Sequence, residues 1–68
     1  MTIITVVKCT HKELAKILDA AFCTIGVTLV NFDSSRGGCI LMFLSENAKA
    51  DTRLFNTIKH FNCLIMGQ

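Results

Sequence analysis

Five side chains of this 68-residue chain could do chemistry together: Cys9, His11, Cys39, His60 and Cys63. Thiolate and imidazole are the donors zinc prefers, and a structural metal would help so small a core. Cys9, His11, His60 and Cys63 are therefore the candidate metal ligands, and zinc is the ion they would take. Neither Cys9-x-His11 nor His60-x-x-Cys63 has the spacing of a standard zinc pair. The competing reading treats each cysteine as a small buried hydrophobe, and it is preferred, so no cofactor is expected. No Ser, His and Asp fall in an order that suggests nucleophilic catalysis. Gly37-Gly38 is not followed by Lys-Ser/Thr and so is no phosphate loop. Glu13, Asp19, Glu46 and Asp51 read as solvated charges on helix surfaces. The chain is not expected to be an enzyme.

The elements that must position these residues follow from local pattern. Residues 2–8 are β-branched and alternate loosely, which predicts a strand. Thr10 with Glu13 three residues on is a capping box, and Leu14, Ile17, Leu18, Ala21 and Phe22 then fall on one helical face. A helix over about 11–23 follows, with Gly26 as its stop. Residues 27–32 and 39–44 are apolar strands joined by a turn over 33–38, rich in Ser and Gly. Ser45 is a cap candidate, and Ala50, Leu54, Ile58 and Phe61 repeat at helical spacing. Asn62 is placed to end that helix, and 63–66 is a short last strand. The expected core is Leu14, Ile17, Leu18, Phe22, Leu54 and Ile58.

Strand, helix, strand, strand, helix, strand is the order of the ferredoxin-like α+β fold. It implies a four-stranded antiparallel sheet in the order 4-1-3-2 with both helices on one face. The chain is read as one such domain over 1–68, since the length leaves room for only one. A chain this small buries only roughly 60% of its surface on folding. Apolar residues make up 51% and charged residues 18%, which excludes a disordered tail. A formal charge of +2 is too weak to imply nucleic acid. The longest fully apolar run, 39–44, is far short of a membrane span, and the N-terminus lacks the basic start of a signal peptide. A cytoplasmic protein with reduced thiols is expected.

In such a fold the helices cover one side of the sheet, yet the strands are apolar on both. Cys39, Leu41 and Phe43 face one way and Ile40, Met42 and Leu44 the other; Leu64 and Met66 oppose Cys63 and Ile65. Sequence does not say which set is covered. Leu41, Phe43, Met42, Leu64 and Met66 are the candidate interface residues. The partner is expected to be a second copy, in a homodimer or higher oligomer, or a protein target.

Val7-Lys8-Cys9-Thr10-His11-Lys12 lies where heavy-metal-associated domains of this fold carry Met-x-Cys-x-x-Cys. Lys12 replaces the second thiolate, so the resemblance is to the fold. Arg36-Gly37-Gly38-Cys39-Ile40-Leu41-Met42-Phe43 resembles the third strand of RNA-recognition modules at Arg36, Gly37, Leu41 and Phe43. Gly38 and Ile40 replace the stacking aromatics, and nucleic acid is not an expected partner. In topology and hydrophobic pattern the whole chain resembles small regulatory modules such as ACT domains or the core of nitrogen-regulatory signalling proteins. The loop Cys9-Thr10-His11 lacks the glycine usual in ACT domains, and the turn at 33–38 is too short for the nitrogen regulators' nucleotide loop. The expected function is non-enzymatic regulation or inhibition by protein contact. Size suits a virus- or plasmid-encoded inhibitor; the alternative is an oligomeric ligand- or metal-sensing module.

Overall fold

The computed structural model describes residues 2–67. The elements are β1 (Ile3–Cys9), α1 (His11–Phe22), β2 (Val27–Ser35), β3 (Gly38–Ser45), α2 (Ala48–Ile58) and β4 (Cys63–Gly67). The strands form one antiparallel sheet in the order β2-β3-β1-β4, the ferredoxin-like βαββαβ arrangement. Among the described residues no helix is long and apolar enough to cross a membrane.

Local chemistry explains the helix starts. Thr10 is extended and its hydroxyl accepts from the Glu13 N–H, satisfying one of the free donors of the first turn of α1. At α2 the cap is Asn47 and not Ser45. The Asn47 side chain accepts from the Ala50 N–H at 3.0 Å, while Ser45 remains the last residue of β3, fully buried. Asn62 does not adopt a left-handed conformation, since among the described residues only Gly26 and Gly38 have positive φ.

The β2–β3 hairpin is tighter than its composition suggests. Asp33, Ser34 and Ser35 continue β2, and only Arg36 and Gly37 make the turn. Pairing runs down to Ser35 opposite Gly38. Gly38 has φ +130°, and a Cβ there would come within 2.7 Å of the Cys9 carbonyl oxygen, so the strand closes against β1 only without a side chain.

The core lies between the helices and one face of the sheet. Val7, Cys9, Cys39, Leu41 and Phe43 meet Ile17, Ala21, Leu54 and Ile58, with Leu14 and Leu18 packed at the margin. Phe22 is not among them and is 68% exposed. The inward side of α1 centres on Ile17 and Ala21, and Phe22 is turned about 100° from Ala21. The apolar stripe read from the sequence therefore rolls out of the core in its last turn.

Candidate functional site: the open face and the thiol row

Register decides which side of each strand is covered. Cys9 pairs with Cys39 in β3 and with Cys63 in β4, so three cysteines form one row across the sheet. The neighbouring residues of that face, Val7, Leu41 and Phe43, are fully buried, which places the row beneath the helices. Cys9 and Cys39 are buried and Cys63 is half-buried, where its thiol donates to the Ile58 carbonyl at 3.4 Å. Burial pushes the Cys9 thiol above its ordinary value. The charges that Cys39, Cys63 and Glu13 would place beside it push the same way, as does a hydrogen bond with Cys39. Cys63 is raised too, by burial and then by Glu13. Thiols held protonated in this way are poor nucleophiles, and they pack as small apolar groups.

The four candidate metal ligands do not converge: Cys9 and Cys63 pair in the covered row, and the two histidines lie at the surface. His11 opens α1 at the surface, with Nε2 3.1 Å from the Ser34 hydroxyl of β2. His60 is exposed in the turn after α2. Among the described residues no group of three or more His, Cys, Asp or Glu side chains is arranged to hold a metal ion. Cys39 joins the other two thiols through strand register, at the edge where the expected strand order collects all three.

The covered face also holds a polar contact absent from the sequence reading. Thr5 and Ser45 are buried beside the core, and the Thr5 hydroxyl donates to Asp51 Oδ1 at 2.6 Å. Ser45 makes a longer contact to the same oxygen, 3.5 Å. Asp51 is thus half-buried in the first turn of α2, not a freely solvated charge. Thr5 and Asp51 are 46 residues apart, and no local signal links them.

The opposite face carries no helix. Its strand positions form three rungs. The first is Asp33, Ile40, Lys8 and Leu64, read from β2 to β4. The second is Asn31, Met42 and Val6, with Met66 in the irregularity of β4 beside it. The third is Thr28, Leu44 and Ile4. Ile4 is 45% exposed, Ile40 40%, Leu64 60% and Met66 56%. Of the five candidate interface residues, Met42, Leu64 and Met66 lie on this face. Leu41 and Phe43 do not: they point under the helices with no exposed surface, because the strand's two-residue period turns them opposite to Met42. Ile4, Val6, Ile40 and Leu44 are further apolar members of the open face, which sequence does not single out because it leaves facing undetermined.

Two shallow depressions lie elsewhere on the surface. One, of about 350 Å³, is lined by Ala48, Lys49, Thr52 and Arg53 of α2. The other, of about 440 Å³, is lined by Cys23, Thr24, Ile25, Arg53 and Thr57. Neither touches the thiol row or the open face.

Compared with protein-family models, curated proteins and solved structures, the chain matches none.

Proposed function

We propose that this protein is a small non-enzymatic regulator or inhibitor that works in the cytoplasm by binding another protein chain through the open face of its sheet. The observation that carries this reading is the run of Ile40, Met42, Leu44, Ile4, Val6, Leu64 and Met66 across one uncovered surface. A contiguous apolar patch of this kind loses contact with water when a partner covers it, which favours association by about 25 cal/mol per Å².

The test uses the purified protein as bait in extract of its native cell. Wild type should retain a protein partner, either its own chain or another, that Met42→Lys and Val6→Lys lose. Thr52→Lys, on the exposed side of α2, should retain it. Equal capture by all four proteins would overturn the reading.

A second reading, an oligomeric ligand- or metal-sensing module of ACT-like type, has behind it only the pairing of two candidate ligands, Cys9 and Cys63, across β1 and β4. Elemental analysis separates the two. About one zinc per chain, lost in Cys9→Ser, would favour the sensor.

A further inference from the structure

We infer that the occupant of the open face is a second copy of this chain, related by a two-fold axis running nearly along β3. The inference rests on the reading of that face as a contact surface and is carried by the placement of its two charges.

Lys8 and Asp33 stand on the same rung, one on each side of Ile40: Asp33 pairs with Ile40 from β2 and Lys8 pairs with it from β1. Both are exposed, and among the described residues no ion pair joins them. They are the charged side chains among the apolar positions of the face, and any face-to-face dimer must place them somewhere.

Four simple arrangements place them differently. An axis along β1 sets Lys8 against the Lys8 of its copy. An axis between β3 and β1 sets Lys8 against Ile40 and Asp33 against Leu64, covering both charges without partners. An axis across the strands sets Lys8 against Ile4. An axis along β3 sets each Lys8 against the Asp33 of the other copy, twice by symmetry, with Ile40, Met42 and Leu44 meeting their own counterparts between. Like charges and unpaired covered charges oppose association, so the face's own charges select the fourth. Sheets stack about 10 Å apart, a gap that a lysine and a carboxylate reaching from opposite sides can close. A small tilt of the axis gives the roughly 30° crossing that aligned twisted sheets adopt.

This arrangement has a defined edge. β2, β3 and β1 span about 14 Å and five residues rise about 17 Å, a footprint of roughly 240 Å² per copy. That is well below the roughly 800 Å² per partner of standard interfaces, so the dimer is of the weak, reversible class. β4 overhangs the footprint, which leaves Leu64 and Met66 at its rim.

Sedimentation velocity over about 5 to 500 µM tests the geometry by charge exchange. Wild type should dimerise reversibly. Lys8→Asp and Asp33→Lys should each weaken the dimer by at least about tenfold, since each sets like charges face to face. The double variant Lys8→Asp/Asp33→Lys should return to within about threefold of wild type, a rescue that misfolding cannot produce. Leu64→Lys, outside the footprint, should change the constant by less than about threefold. A wild type that stays monomeric throughout overturns the inference and leaves the contact reading to its own extract test. A dimer that Met42→Lys dissociates but charge exchange does not touch overturns the β3 axis. A double variant as weak as the single ones overturns it too.

Discussion

The two faces of this sheet share the same kinds of apolar residue and have different fates. On the covered face Val7, Leu41 and Phe43 are sealed by Ile17, Leu54 and Ile58, and even Thr5 and Ser45 are enclosed because Asp51 accepts from them. On the open face Val6, Met42 and Leu44 occupy alternate positions of the same strands and keep contact with solvent. Among the apolar positions side-chain type does not distinguish them; the presence of two helices does. An apolar residue stabilises this fold when a helix lies over it. One residue further along the strand, the same type of side chain is available to a partner.

Adjacent residues of β3 give the largest contrast. Leu41→Lys places an ammonium group in a site with no solvent exposure, a cost of several kcal/mol against a total stability of about 5–15 kcal/mol. It should abolish the native circular dichroism spectrum. Met42→Lys should keep the spectrum and change stability by about 1 kcal/mol or less, while removing self-association. Two folded variants, or two unfolded ones, would break the contrast.

The helices provide the next test. Ile17→Ala removes a fully buried side chain and should cost about 2–5 kcal/mol in urea denaturation. Phe22→Ala removes a larger side chain that the core does not enclose, and should cost less than about 1 kcal/mol. A reversed order would mean that Phe22 packs against something beyond this chain's own core.

Two carboxylates sharpen the same point at a smaller scale. Asp51→Ala leaves the buried Thr5 hydroxyl without its acceptor and should cost about 1–3 kcal/mol. Asp33→Ala, on the open face, should alter monomer stability by no more than about 0.5 kcal/mol in the same assay.

The smallest effect is a pH dependence carried by the covered thiols. Cys9 and Cys63 are raised from an ordinary value of 9.0, so in alkali the unfolded chain loses these protons before the folded chain does. The stability they contribute is whole below about pH 9, the unfolded value, and is lost as pH rises through the folded values. Wild type should therefore lose more stability between about pH 8 and pH 10 than Cys63→Ala, measured by denaturant midpoint. Parallel losses would show that the thiol row does not feel its burial.

Much of the architecture was legible locally. Thr10 with Glu13 marked the start of α1, and the spacing of Leu54 and Ile58 marked the inward side of α2. These signals act within one or two helical turns, so sequence neighbours are enough. Ser45 misled as a cap because a serine before a helix and a serine at the end of a buried strand look alike until Asp51 is seen beside it. Phe22 misled because spacing alone does not show where a helix leaves the sheet. The candidate site was legible as a prediction that one apolar face would remain uncovered. Its membership was not, since Leu41 and Met42 are equally apolar.

Sequence by itself determined the order of the elements, the Thr10 cap of α1, and the excess of apolar side chains over what two helices can cover. Tertiary structure decided the rest. It turned Leu41 in and Met42 out, aligned Cys39, Cys9 and Cys63 in one row, brought Asp51 to Thr5, and set Lys8 and Asp33 on either side of Ile40. The physical reason is range: helix periodicity and capping act between near neighbours in the chain. Facing and register in a sheet are relations between strands, and a strand apolar on both sides has no alternation from which to read them.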